Sequence, residues 1–275
     1  MYAKVYVEIT NICNMHCSFC HGHQRPPRRM TQEEFAAILA QLKGKTEHLY
    51  YHLMGEPLTH PSLPDFLDMA AEQGFRSIIT TNGTRLAEVG ERLPAHGVHK
   101  VSISLHRFEA GSDEAYSRYL QECCDFADLA SQRGTIVVFR LWNRGCDGGR
   151  NEIAYNFLRK RLSGEWVPNT RGIRIRHKLH LEWGDRFAWP DLSAPLQGKE
   201  VYCYGLQDHF AILCDGTVVP CCMDSEGTLA LGNILTQRLD EILSSPRATQ
   251  IREGFARHVA SEELCRRCAY AQRFV

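Results

Sequence analysis

The sequence predicts an α/β protein: a partial (β/α)6 barrel followed by a small cysteine-rich C-terminal domain. Three observations predict it. Strand-like and helix-like stretches alternate over roughly the first 180 residues, the pattern of a parallel sheet with right-handed crossovers. That alternation stops after Trp189-Pro190. Six of the twelve cysteines then fall beyond residue 200. The predicted division is 1–189 and 190–275, and a chain of 275 residues is long enough for a large domain with an annex.

Each element follows from local pattern. Residues 4–10 are β-branched and aromatic and read as the first strand. Thr31, with Glu34 three residues on, is a capping-box signature opening a helix with Phe35, Ile38, Leu39 and Leu42 on one face. Residues 48–53 read as the second strand and 61–72 as a helix closed by Gly74. Residues 76–81 form the third strand, ending at the turn signal Asn82-Gly83, and a helix is expected over 84–93. The fourth strand is 100–105, the long helix 113–132, the fifth strand 135–141 and the next helix 153–162. The alternation of Ile173, Ile175 and His177 predicts a sixth strand over 172–182. Residues 190–202 read as a linker. Strands at 210–213 and 217–219 flank Cys214-Asp215-Gly216, a hairpin signal, and helices are expected over 239–243 and 247–255. In parallel α/β folds the working residues gather at the C-terminal ends of the strands.

Composition narrows the class. Lysine plus arginine equals aspartate plus glutamate at 32 each, which argues against a general nucleic-acid binder. No apolar run approaches the span of a bilayer, and the first residues lack a signal-peptide core, so a cytoplasmic, non-membrane protein is expected. In a reducing compartment, clustered cysteines bind metal or do redox chemistry more often than they form disulfides.

The run Cys13-Asn14-Met15-His16-Cys17-Ser18-Phe19-Cys20 sets three cysteines at C-x3-C-x2-C spacing on the loop after the first strand. Chance gives such a trio roughly 0.02 times in a chain of this cysteine content. Three thiolates on one short loop can hold three irons of a four-iron cluster and leave the fourth open. The alternative is zinc with His16, His21 or His23 as fourth ligand, although zinc sites usually come as paired C-x2-C elements. Cys203, Cys221, Cys265 and Cys268 form a second group, with Cys214 and Cys222 nearby; a zinc ribbon is the alternative there. Cys123, Cys124 and Cys146 have no partners in the sequence and read as small buried apolar side chains.

The first run resembles the signature of the radical S-adenosylmethionine (SAM) enzymes, in which an aromatic or apolar residue precedes the third cysteine, as Phe19 does here. Met54-Gly55-Glu56-Pro57 resembles the family's Gly-Gly-Glu-Pro motif, which binds the SAM amino group largely through backbone atoms; Met54 stands in place of the first glycine. Asn82, Ser104 and Arg140, on the third to fifth strands, match positions near SAM in the family. The resemblance covers about residues 4–183. The C-terminal cysteines resemble SPASM and Twitch auxiliary-cluster domains. Their single terminal C-x2-C pair fits the shorter Twitch form, closest in spacing to the radical SAM alcohol dehydrogenases of aminoglycoside biosynthesis.

The resemblance implies a TIM-like partial barrel with a Twitch/SPASM-like iron–sulfur domain. It implies SAM and two 4Fe-4S clusters, with Cys13, Cys17 and Cys20 at the SAM-binding cluster and Cys203, Cys221, Cys265 and Cys268 at the auxiliary one. Adjacent strand residues face opposite ways, so one of Cys221 and Cys222 should turn from the cluster; Cys214 is the main rival ligand. The implied activity is a radical SAM oxidoreductase. It cleaves SAM to a 5′-deoxyadenosyl radical, takes hydrogen from a small-molecule or peptide substrate and passes an electron to the auxiliary cluster. A flavodoxin or ferredoxin would supply the reducing electron. His52, His106, Asn143 and Arg144, near strand ends, are candidates to meet substrate or act as base. A peptide-modifying maturase is the alternative; the first strand begins near Lys4, leaving no leader-binding domain ahead of it. From another class, the chain could be a non-catalytic zinc or iron–sulfur protein. Residues 182–189 join barrel to annex and read as packing or as the rim of a substrate entrance.

Overall fold

The computed structural model describes residues 1–108 and 112–274. The N-terminal part runs β1 (Lys4–Val7), α1 (Gln32–Leu42), β2 (His48–Tyr50), α2 (Leu63–Glu72), β3 (Arg76–Thr81), α3 (Leu86–Val89), α4 (Arg92–Ala95), β4 (Lys100–Ser104), α5 (Asp113–Gln132), β5 (Ile136–Arg144) and α6 (Arg150–Arg161). It continues through β6 (Val167–Asn169), β7 (Gly172–Arg176) and β8 (Leu179–Asp185). The C-terminal part adds β9 (His209–Ile212), β10 (Thr217–Val219), β11 (Gly232–Asn233), α7 (Leu239–Leu243), α8 (Pro246–Ala256) and α9 (Glu263–Arg266).

Among the described residues eleven strands join one open sheet in the order β11-β10-β9-β1-β2-β3-β4-β5-β8-β7-β6. The stretch from β9 through β1, β2, β3, β4 and β5 to β8 is parallel, and both flanks are antiparallel. Side chains alternate along each strand. One face, with Val5, Val7, Leu49, Ile79, Val101, Ile103, Phe139 and Leu181, packs into the main hydrophobic core. The other face carries Tyr6, Tyr50, His52, Thr80, Ser102, Ser104 and Arg140, a polar lining that a purely structural interior would not need. The helices form as their sequences dictate. The Thr31 hydroxyl accepts from Glu34 N while the Glu34 carboxylate accepts from Thr31 N, closing the capping box of α1. Its four expected core residues are all buried, with Phe35 stacked on Phe66 of α2 at 4.4 Å between ring centroids.

Several expectations are corrected. The sixth strand expected over 172–182 is a hairpin: β7 and β8 are antiparallel, Lys178 turns the chain in the left-handed region (φ +60), and β8 is the strand that pairs with β5. Alternation persists across so tight a turn, so the pattern alone hid it. The helix expected over 84–93 is two short helices, broken at Gly90, where a Cβ would press on Phe126. Cys146 is exposed rather than buried, whereas Cys123 and Cys124 lie in the core. The C-terminal hairpin also does more than flank a separate annex, since β9 pairs with β1 over four residues and extends the barrel sheet. Among the described residues no helix is long and apolar enough to cross a membrane.

Candidate functional site

The loops after β1, β2, β3 and β4 meet at a cavity of about 390 Å³. Cys13, Cys17 and Cys20 line it, facing His52, Met54, Gly55, Glu56, Asn82 and Ser104, with Trp189 at its edge. Gly55 is what lets the two loops meet. Its φ is +71, and a Cβ there would stand 2.4 Å from the Thr10 carbonyl oxygen, inside the backbone of the cysteine-bearing loop. Glu56 N then donates to Ile12 O at 2.9 Å, locking the contact.

Glu56 itself is buried and fully engaged. Its carboxylate accepts from Thr81 Oγ1 at 2.7 Å, Asn82 N at 2.7 Å and Leu58 N at 3.0 Å. Burial lifts its carboxyl to about 6, although these three donors pull the other way. The side chain thus ties the end of β3 to the loop after β2. Asn82 reaches across to the cysteine loop, donating to Asn14 Oδ1 at 3.0 Å, with its Nδ2 3.9 Å from Cys13 Sγ. Burial raises the Cys13 thiol, while the Met15 amide and Asn82 favour its thiolate.

Other expected site residues fall in different places. Arg140 stacks on the Trp142 ring at 4.6 Å and holds Thr80 Oγ1 at 3.5 Å from Nη1, while its buried Nε has no hydrogen-bond partner among the described residues. Phe19 is outside the cavity lining, its ring 5.9 Å from that of His106 and under the Arg186 guanidinium. His106 bonds the Arg140 carbonyl through Nδ1 at 3.0 Å and is outside the cavity lining. Asn143 is half-buried away from the cavity, and Arg144 is exposed, 3.8 Å from Asp185. Of the four substrate-or-base candidates, only His52 lines the cavity. Trp189, from the stretch read as packing or entrance rim, lines it too and stacks on His21 at 6.0 Å.

Cys203, Cys221, Cys265 and Cys268 line a second pocket, walled by Val201, Leu229, Phe255, Leu264 and Ala271. Burial pushes the Cys203 thiol up to about 11, and burial together with neighbouring cysteines raises Cys221 and Cys265 well above the usual range. Four crowded thiols in apolar surroundings are held as neutral SH groups unless a cation compensates their ionisation. The two rival cysteines are elsewhere. Cys222 packs with Tyr6, Leu53 and Val219, and Cys214 lies beside Arg25, with Nη1 3.7 Å from its sulfur. Among the described residues no three His, Cys, Asp or Glu side chains converge as a single metal ion requires. Thiolates of a four-iron cluster bind separate irons and need not share one point.

Residues 7–135 match the radical SAM superfamily, and residues 203–269 match SPASM, an iron–sulfur cluster-binding domain. The chain carries a radical SAM domain followed by a SPASM domain. An AdoMet-dependent heme synthase of Methanosarcina barkeri is 30% identical over 146 residues, 48% of this chain and 42% of that protein. A PqqA peptide cyclase of Streptomyces rochei is 31% identical over 117 residues, 41% of this chain and 32% of its own length. The chain thus spans less than half the length of these curated relatives. Among solved structures, BtrN in complex with AdoMet and 2-DOIA matches with a TM-score of 0.64 at 19% identity, over 98% of this chain and 93% of that one. Native anSMEcpe with bound AdoMet and Kp18Cys peptide matches at 0.63 and 12% identity, over 99% and 94%. At such identities the likeness is one of fold.

The two domains imply SAM and iron–sulfur clusters as cofactors, and the residues present fit them. Soft thiol donors line both pockets. Among the described residues neither Arg140 Nε nor the buried Ser102 Oγ has a hydrogen-bond partner, which leaves polar capacity on the sheet face that carries the cavity residues.

The sequence reading missed Glu8, Arg25 and Asn11. Asn11 is buried and fastens the far limb of the cysteine loop, donating to Pro26 O at 2.8 Å and accepting from Arg28 N at 2.7 Å. The one available signal was a charged residue, Glu8, in phase with Lys4 and Tyr6 on a strand otherwise apolar on its other face.

Proposed function

We propose that the chain is a radical SAM oxidoreductase with two 4Fe-4S clusters, catalysing a net two-electron oxidation of its substrate. The observation that carries this reading is the gathering of Cys13, Cys17 and Cys20 with Gly55, Asn82 and Ser104 on one cavity. In this reading those three cysteines hold the first cluster. Phe19, Gly55, Glu56, Asn82, Ser104 and Arg140 surround or support SAM. Cys203, Cys221, Cys265 and Cys268 hold the auxiliary cluster, with residues 1–189 and 190–275 as the two units. When bound, SAM and the reduced first cluster supply a 5′-deoxyadenosyl radical, and the auxiliary cluster supplies an electron acceptor.

The chain's own groups do the rest. Glu56 holds the end of β3 against the loop after β2 and so keeps the cavity wall in register. The Arg140 guanidinium offers a free Nε–H to a carboxylate. The sheet and its helices exclude water from a reactive intermediate. His52, on the cavity wall, would take the proton from a substrate hydroxyl or amine beside the carbon that is oxidised. An electron donor such as flavodoxin or ferredoxin supplies the starting electron. A reducing cytoplasmic setting suits thiol-bound clusters.

The test is anaerobic incubation of iron-loaded protein with SAM, dithionite and deuterated candidate substrates. Deuterium should appear in 5′-deoxyadenosine. Intact SAM after incubation with fully loaded protein would overturn the reading. A peptide substrate is the second reading, supported by the likeness to a peptide cyclase and to a peptide-bound structure. Deuterium transfer from labelled peptides rather than small alcohols or amines would select it.

A further inference from the structure

We propose that the pair formed by buried Glu8 and half-buried Arg25 is a positioning device that couples the C-terminal cysteine-bearing segment to the SAM-binding loop and thereby sets SAM affinity. The proposal rests on the radical SAM reading and extends it to residues that this reading does not use.

Glu8 follows β1 and is fully buried. Arg25 lies on the far limb of the cysteine-bearing loop. Its Nη1 and Nη2 donate to the two carboxylate oxygens at 2.8 and 2.7 Å, a bidentate pair. The same carboxylate accepts two backbone amides from distant segments. Met54 N donates to Oε1 at 3.1 Å, and Cys214 N donates to Oε2 at 3.0 Å. Arg25 Nε donates onward to Ser225 O at 2.7 Å.

Five segments therefore end on one ion pair. They are the end of β1, the loop carrying Cys13, Cys17 and Cys20, the Met54-Gly55-Glu56-Pro57 loop, and both flanks of Cys221, namely Cys214 before it and Ser225 after it. A buried ion pair of this kind adds little net stability over an apolar pair of the same shape, whereas loss of one partner strands a charge. Its specific contribution is direction. A carboxylate with four donors tolerates little rotation, so displacement of the Cys221 flanks is felt at Met54, next to the glycine that closes the cavity. Glu8 also meets the Cys214 thiol, lines neither thiol pocket, and acts through Met54 and Arg25.

The test uses Glu8→Gln, which keeps the size and one acceptor but loses the bidentate pair, and Arg25→Lys, which keeps the charge but not the fork. Both are compared with wild type for iron content, for SAM dissociation constant on the loaded protein, and for amide exchange at Met54 and Cys214 on the purified protein without SAM. We expect unchanged iron, a SAM dissociation constant raised about tenfold or more, and exchange that quickens at both amides together. A dissociation constant within about twofold of wild type in the soluble variants, or quickening at one amide without the other, would overturn the proposal. If Glu8→Gln does not fold, Arg25→Lys decides alone. Failure of the radical SAM reading shows separately, as loaded wild type that binds no SAM; the exchange measurement still decides the coupling in that case.

Discussion

Glu56 shows how one side chain sets a measurable property. Its carboxyl is lifted by burial from 4.5 to about 6. The folded chain therefore binds more protons than the unfolded chain between those values. Stability from this residue is greatest below about pH 4.5, falls as pH rises to about 6 and is then level, a loss of about 2 kcal/mol. Glu56→Gln removes the ionisation. Urea unfolding of both proteins at pH 4.5 and pH 7 should show the wild type losing about 2 kcal/mol relative to the variant. A difference independent of pH would contradict the burial of this carboxylate. At this scale the sequence was informative where partners are local. The cysteine trio, Gly55 and Asn82 announced themselves by spacing, and all line the cavity. Arg25 could not be read, because its meaning depends on Glu8, 17 residues earlier, and on a hairpin 189 residues later.

At the scale of elements, α1, β3 and α5 were legible because caps, glycine stops and apolar period agree. The β7–β8 hairpin was not, since a two-residue period survives a tight turn and only pairing reveals the reversal. The strand-adjacent pair Cys221 and Cys222 divides between two environments, one sulfur in the apolar pocket and the other against Tyr6. This yields a prediction. Cys265→Ala should lower iron from about eight to about four per chain after anaerobic loading, whereas Cys222→Ala and Cys214→Ala should leave it near eight. Iron and sulfide analysis checks it. Loss of iron in Cys222→Ala equal to that in Cys265→Ala would reassign the ligands.

Across the whole molecule the decisive feature is the continuity of one sheet. β9 pairs with β1 from Lys4↔His209 to Val7↔Ile212, and the main core includes Val5 and Val7 together with Phe210, Ile251 and Phe255. The alternation of strands and helices foretold the barrel, but nothing local told that the C-terminal hairpin would seal its edge. Removal of residues 190–275 should therefore expose the β1 edge and apolar core, and the shortened chain should aggregate rather than fold. Recovery of a soluble fragment with native-like helix content would show instead that the two parts stand independently. The same continuity sets both thiol pockets against a common framework, with Tyr6 and Leu53 packed against Cys222 between them. Radical chemistry in this chain depends on the first of those pockets. The most direct measurement is 5′-deoxyadenosine formation from SAM under dithionite, in wild type and in Cys13→Ala/Cys17→Ala/Cys20→Ala, each loaded with iron and sulfide without oxygen. The wild type should form it and the triple variant should form none while keeping its auxiliary iron; equal formation by both, or none by either, would contradict the account.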